Sequence, residues 1–167
     1  EGLLHASAVR SKYPRARVLS IDTEKAKAVP GIVDIFTAAD IPGDVKVGHL
    51  VQDWDTMIPV GSITHYLGDA IALVVGENLD VVEKAKKLVK VEYEELPFVS
   101  SPYEAMKEDA PQVHGSGNLL AHKHVSRGNA KEAIANAKYV YTEEFHTPWT
   151  EHAFLEPECA VSFYDED

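Results

Sequence analysis

The segment from Ala70 to Glu94 constrains the fold more than any other part of the chain. Ala70–Val75 is a nearly unbroken apolar run, which is typical of a strand buried on both faces, and Gly76 ends it. Residues 90–94 alternate between polar and apolar side chains and predict a second strand. Between these strands, apolar side chains recur at the spacing of one helical face: Val81, Val82, Ala85, Leu88 and Val89.

Two pairs of residues predict where helices begin. Asp80 with Glu83 fits a capping box at the start of the helix just described. Asn129 with Glu132 fits a second one, ahead of a short helix.

The remaining pattern predicts short strands and helices rather than long ones. Residues 40–62 contain several glycines and prolines and predict an irregular excursion, with a short strand near Met57–Val60. Residues 108–118 are polar and make the best linker. The class is therefore α+β, with mixed sheets and short helices. Further strands are predicted over His5–Val9, Arg17–Asp22, Ile32–Phe36, Leu119–Val125 and Tyr139–Phe145, and short helices over Glu24–Ala28 and Tyr103–Lys107.

Charge and cysteine content exclude several classes of protein. A net charge of −11 disfavours nucleic acid and an anionic membrane surface as partners. Apolar runs are too short for a membrane helix, and no secretory signal pattern opens the chain. With Cys159 as the single cysteine, no internal disulfide and no thiolate-ligated iron–sulfur cluster can form, so a reducing, cytoplasmic location is expected.

Motifs for nucleotide binding and serine hydrolysis are missing from the sequence. It contains neither a P-loop nor a G-x-S-x-G elbow. Gly115-Ser116-Gly117 lacks the later glycine of a dinucleotide-binding loop and predicts a flexible turn.

The stretch from Thr147 to Val161 concentrates residues that build sites. It brings a histidine, three glutamates and a thiol close to large apolar side chains. Any of Glu151, Glu156 and Glu158 can act as a general base if burial raises its pKa, although each alone more readily accepts backbone or lysine hydrogen bonds. For Cys159, a buried, inert thiol is favoured over a nucleophile.

Two histidine spacings leave a metal site open as an alternative. His122 and His124 would share one face of a strand, and His152 and Glu156 are four residues apart, as ligands on a helix are. A solvated strand face explains the first pair better, and Pro157 disfavours a continued helix at the second.

The order of motifs along the chain resembles one enzyme family. These motifs span nearly all of the sequence, and together they are similar to the molybdenum-binding subunit of the xanthine dehydrogenase and aldehyde oxidase family, the molybdenum hydroxylases. They are LHASAVRS (4–11), PRARVLSID (14–22), AVPGIV (28–33), TAADIP (37–42), YLGDAIALVV (66–75), VKVEYEELP (89–97) and the segment Phe145–Val161.

The resemblance implies a fold and its division. Residues 1–103 correspond to the family's α/β hammerhead domain, and residues 104–129 to a linker. Residues 130–167 correspond to the first strands of the molybdopterin-binding domain. Since the chain starts with Glu1 rather than methionine, we expect it to be a piece of a longer polypeptide.

The resemblance also implies a reaction and its cofactors. Family members hydroxylate a carbon of an N-heterocycle or aldehyde with water as the oxygen source, using the molybdenum cofactor, and pass electrons to iron–sulfur clusters and FAD on other domains or subunits. The family's catalytic glutamate lies in a glycine-rich motif without a match here, so no catalytic residue is assigned. Thr150, Glu151 and His152 are the expected cofactor-binding residues; Thr150 stands where many relatives have glutamine.

Three hypotheses follow from the sequence. In the first, the chain is the N-terminal portion of a molybdenum hydroxylase large subunit, inactive and without bound cofactor by itself, whose partners are the remaining subunit, iron–sulfur and flavin subunits and a small heterocycle or aldehyde. The Trp149–His152 segment favours the purine-like side. In the second, it is a docking or assembly module. In the third, it is a metalloprotein whose ligands are His122, His124, His152 and Glu156.

Overall fold

The computed structural model describes residues 2–153, 155 and 158–164 and divides the chain into two units. Unit 1 runs from Glu1 to His122 and unit 2 from Lys123 to Asp167. The seven described strands are β1 (His5–Arg10), β2 (Ala16–Asp22), β3 (Ile32–Thr37), β4 (Lys46–Val47), β5 (Trp54–Asp55), β6 (Ala70–Gly76) and β7 (Lys90–Glu95). The α-helices are α1 (Glu24–Lys27), α2 (Leu79–Lys86), α3 (Pro102–Ala105) and α4 (Ala130–Ala135).

The strand β6 is the centre of unit 1, as its apolar run predicts. It lies between β1 and β3 in a three-stranded sheet, and both pairings are antiparallel. Its two faces are both buried. Ala72 and Val74 pack with Val82 and Ala85 of α2 in a first core, whereas Ile71 packs with Val18 and Ile58 in a second core. Burial on both faces explains why the run contains no polar side chain.

Two smaller antiparallel pairs complete the described sheets. β2 pairs with β7 and contributes to the second core, and β4 pairs with β5. The α+β class with small sheets and short helices is thus confirmed. The part of the chain that the structure describes holds no helix long and apolar enough to cross a membrane.

The start of α2 differs from the prediction. Asn78 caps the helix, and its Oδ1 accepts a hydrogen bond from the Val81 N–H at 3.0 Å. Asp80 therefore lies inside the first turn, and Glu83 pairs with Lys86 at 2.7 Å instead of closing a capping box. The prediction at α4 is confirmed, because the Asn129 side chain accepts from the Glu132 N–H.

Three predicted strands are wrong among the described residues. Residues 57–60 form no ladder, although the N–H of buried Ile58 donates to the Ala70 carbonyl oxygen at 2.8 Å. Residues 119–125 and 139–145 have strand-like composition but form no strand. A strand needs a neighbour to satisfy its backbone N–H and C=O groups, and the described residues offer these two segments none.

Candidate cofactor-binding segment

The predicted site residues Thr150, Glu151 and His152 lie together on exposed backbone of unit 2. Oε1 of Glu151 accepts a hydrogen bond from the His152 N–H at 2.9 Å and a longer one from the Ala153 N–H at 3.5 Å. Ala153 has φ +53°, a left-handed conformation that is uncommon without glycine. The Glu151 carboxylate therefore accepts from the two backbone N–H groups that follow it, a local side-chain-to-backbone contact of the kind that aspartate and asparagine make.

Hydrogen-bonding side chains on both sides of Glu151 lie at the surface. Thr150 carries a hydroxyl donor and His152 an imidazole, and both side chains are exposed. The indole of Trp149 beside them is fully exposed, at 103% of its reference area. The described side chains of Trp149, Thr150 and His152 are thus exposed to solvent and not enclosed in a cavity.

Cys159 corrects a prediction. We expected a buried thiol, but Cys159 is exposed, and its Sγ lies 4.0 Å from the Ala160 carbonyl oxygen. Glu158 is also exposed. Without a paired strand here, no layer of the described chain covers these side chains. Glu156, predicted as a base or ligand, lies outside the described residues together with Pro157.

The described residues do not gather a metal site. His122 and His124 are exposed, and no group of three His, Cys, Asp or Glu side chains within residues 2–153, 155 and 158–164 could hold an ion.

Sequence reasoning missed a buried polar cluster around Asp69, immediately before β6. Asp69 is 2% exposed, and its Oδ2 accepts hydrogen bonds from the N–H groups of His65 at 2.6 Å and Tyr66 at 3.3 Å. The His65 Nδ1 lies 3.6 Å from the same oxygen and is buried without a hydrogen-bond partner among the described groups. A carboxylate following two backbone donors by three and four residues is the signal that could have predicted this turn.

Four rings pack together beside this turn, and the Tyr66 ring lies 5.8 Å from that of Trp54. The centroid of the His65 ring lies 5.0 Å from that of Trp54 and 5.9 Å from that of His114, with which it is stacked. The Trp54 and His114 rings are 5.6 Å apart. The cluster joins three separate segments of unit 1, and its internal packing indicates a structural role.

Comparisons with known proteins match the two parts of the chain separately. Residues 1–97 match the family model described as the aldehyde oxidase and xanthine dehydrogenase α/β hammerhead domain. Residues 113–167 match the model of the molybdopterin cofactor-binding domain.

Individual relatives extend over nearly the whole chain. It is 33% identical to the nicotinate dehydrogenase large molybdopterin subunit of Eubacterium barkeri, over 99% of this chain and 38% of that protein. It is 32% identical to the xanthine dehydrogenase molybdenum-binding subunit of Escherichia coli O157:H7, over 99% of this chain and 23% of that protein. Quinoline 2-oxidoreductase from Pseudomonas putida 86 superposes with a TM-score of 0.67 at 28% identity, over 82% of this chain and 18% of that one.

The chain therefore spans well under half the length of these relatives. Its match to the hammerhead model covers more than half of its own 167 residues. The chain belongs to the aldehyde oxidase and xanthine dehydrogenase family.

Proposed function

We propose that the chain is part of the large subunit of a molybdenum hydroxylase. This enzyme hydroxylates a carbon of a purine-like N-heterocycle or of an aldehyde, with water as the oxygen source. The observation that carries the proposal is the match of both family domains, in order, along one chain. Relatives named for nicotinate, xanthine and quinoline favour the heterocycle, since each of these compounds contains ring nitrogen.

The proposed division places the hammerhead domain at residues 1–103, a linker at 104–129 and the start of the molybdopterin-binding domain at 130–167. The last described strand of unit 1, β7, ends at Glu95. No strand is described beyond it, and the capped helix α4 begins at Ala130. These features support boundaries near the proposed ones.

Unit 2 leaves a set of large apolar side chains exposed to solvent. Burying one such side chain stabilises a protein by roughly 1.5–3 kcal/mol, and contiguous apolar surface usually marks an interface. We infer that the remainder of the subunit packs on them. The most exposed are Val125 (94%), Tyr141 (93%), Phe145 (85%), Trp149 (103%), Leu155 (96%), Phe163 (82%) and Tyr164 (90%).

The predicted triplet fits one side of a cofactor site. The Thr150 hydroxyl can donate a hydrogen bond to an acceptor oxygen, and so can an N–H of the His152 ring. The Glu151 carboxylate, which accepts from the His152 N–H, would hold the local backbone that presents them. When bound, the molybdenum cofactor supplies a metal that activates an oxygen nucleophile. The proposed catalytic glutamate, iron–sulfur clusters and FAD belong to other parts of the assembly.

Variants of the intact subunit test this assignment. We expect Thr150→Val and His152→Ala to lower the molybdenum and pterin content per subunit several-fold, because each removes a donor at the cofactor. Thr147→Val and His146→Ala are matched controls in the same segment and should retain full content. Equal content in all four variants would refute the role of the triplet, whatever their turnover.

The second candidate is a docking or assembly module without chemistry of its own. It is favoured by the two buried clusters of unit 1, which give this unit a core of its own. Size-exclusion chromatography of the chain with candidate iron–sulfur and flavin subunits decides: a stoichiometric complex formed without cofactor favours docking, and separate elution contradicts it. The exposed, free Cys159 is compatible with the reducing cytoplasm that we propose as its location.

A further inference from the structure

Unit 1 contains a cleft of about 510 Å³ where its two cores meet. Val9 and Val89 reach it from the edge of the first core, and Val91 and Tyr93 from the edge of the second. Volumes in this range are typical of small-molecule sites. The other lining residues are Arg10, Lys12, Tyr13, Glu83, Lys86 and Lys87.

The charge of the cleft is opposite to that of the chain. Four cationic side chains and a single carboxylate line it, whereas the chain as a whole carries −11. A concave surface lined by one sign of charge concentrates ligands of the opposite sign.

Two of the cations are held in place by hydrogen bonds. Lys86 Nζ donates to Ser7 Oγ at 2.8 Å and to Glu83 Oε1 at 2.7 Å, which leaves the third ammonium proton for another acceptor. Arg10 Nη1 donates to the Gly68 carbonyl oxygen at 2.9 Å, so most of its five donors remain. An irregularity in the register of β1 between Val9 and Arg10 re-aims the end of the strand, as β-bulges do.

The other two cations are available at the rim. Lys12 and Lys87 are exposed, and neither ammonium group makes a hydrogen bond or an ion pair to another residue in the described part of the chain. The Glu83 carboxylate stays ionised because its hydrogen bond with Lys86 lowers its pKa. Its main partner is Lys86, and it also attracts Lys87, so the cleft keeps an excess of three positive charges over negative ones.

An aromatic pair gives the cleft an apolar wall. The Tyr13 and Tyr93 rings meet edge to face, with centroids 5.3 Å apart. Together with the valines, they offer a surface suited to a flat ring. We propose that this cleft binds a small organic anion, an aromatic or heteroaromatic compound that carries a phosphate or carboxylate group. The inference is independent of the proposed function, because it uses residues of unit 1 alone.

Phenyl phosphate is a suitable probe, since it combines a ring with a dianion. Isothermal titration calorimetry on the full chain should show binding of phenyl phosphate that weakens as salt is raised. Phenol, which lacks the charge, and inorganic phosphate, which lacks the ring, should each bind at least about five-fold more weakly.

Matched lysine variants locate the site. Lys12→Gln and Lys87→Gln should each weaken phenyl phosphate about five-fold or more, the effect of losing one charge-assisted hydrogen bond. Lys25→Gln on α1 and Lys84→Gln on α2 remove the same charge outside the cleft and should leave affinity unchanged. Circular dichroism melts establish that all four variants fold.

Two outcomes overturn the proposal: the absence of measurable phenyl phosphate binding, and equal weakening of that binding by the cleft and control substitutions. If polyglutamate binds where phenyl phosphate does not, the cleft is a docking surface for acidic polypeptide. Loss confined to the two cleft variants supports the proposal, even if the chain has no part in molybdenum chemistry.

Discussion

Truncating Val74 to alanine tests the claim that β6 is the buried centre of unit 1. Val74 is fully buried, lies opposite Ser7 of β1 and Ile35 of β3, and belongs to the first core. The matched control is Val33→Ala on neighbouring β3, where the same two methyl groups are removed from a side chain that is 55% exposed.

The expected cost at Val74 follows from burial and cavity formation. Two methyl groups lose about 0.8 kcal/mol each of transfer free energy, and an unrelaxed void of roughly 50 Å³ adds about 1 kcal/mol. The free energy of unfolding should therefore fall by about 2–3 kcal/mol, a large fraction of the roughly 5–15 kcal/mol typical of a domain. The control should change by less than about 0.7 kcal/mol, since its methyl groups are already partly in water.

Urea unfolding followed by far-ultraviolet circular dichroism measures both variants. The Val74 variant should shift its midpoint downwards by on the order of 1 M without a change in slope. Equal shifts for the two variants would refute the burial of β6.

Three further predictions concern the same unit. Ile71→Ala, on the opposite face of β6, should cost about 2–5 kcal/mol in the same urea assay, and a loss below 1 kcal/mol would contradict the second core. Gly76→Ala should destabilise by about 1–3 kcal/mol, because its new Cβ would lie 2.9 Å from the Gly31 carbonyl oxygen; an unchanged midpoint would show that the strand can shift. Burial raises the pKa of the Tyr93 phenol above its ordinary value of 10.0. The folded state then holds the phenol proton more tightly than the unfolded chain does. The contribution of Tyr93 to the free energy of unfolding is therefore complete below about pH 10 and is lost as pH rises through the folded pKa. Titration at 295 nm should show a late-ionising tyrosine that Tyr93→Phe removes, and an unaltered curve would contradict the assignment.

The sequence predicted those strands and helices whose apolar pattern lies within a single segment. The run at Ala70–Val75 predicted β6 because both of its faces are buried, and the periodicity at 81–89 predicted α2 because one face packs on the sheet. The capping box predicted at Asp80 and Glu83 was wrong, because Asn78, two residues earlier, caps the helix.

Features that depend on a distant partner were not predictable. Tyr139–Phe145 has the composition of a strand, but strand formation needs a neighbouring strand that the described residues do not offer. The contacts of His65 with His114 and Trp54 join residues far apart in sequence, which no local pattern encodes. The assignment of Thr150, Glu151 and His152 to the cofactor came from family resemblance and stays a prediction.

We propose that this chain provides a scaffold and part of a cofactor site that the rest of the large subunit completes. This is tested by the molybdenum and pterin content of two purified samples, the 167-residue chain alone and the intact subunit produced in the same cells. We predict about one molybdenum per intact subunit and less than about 0.1 per isolated chain, since exposed Thr150 and His152 would give only a few hydrogen bonds to the cofactor. Stoichiometric molybdenum on the isolated chain would contradict this proposal.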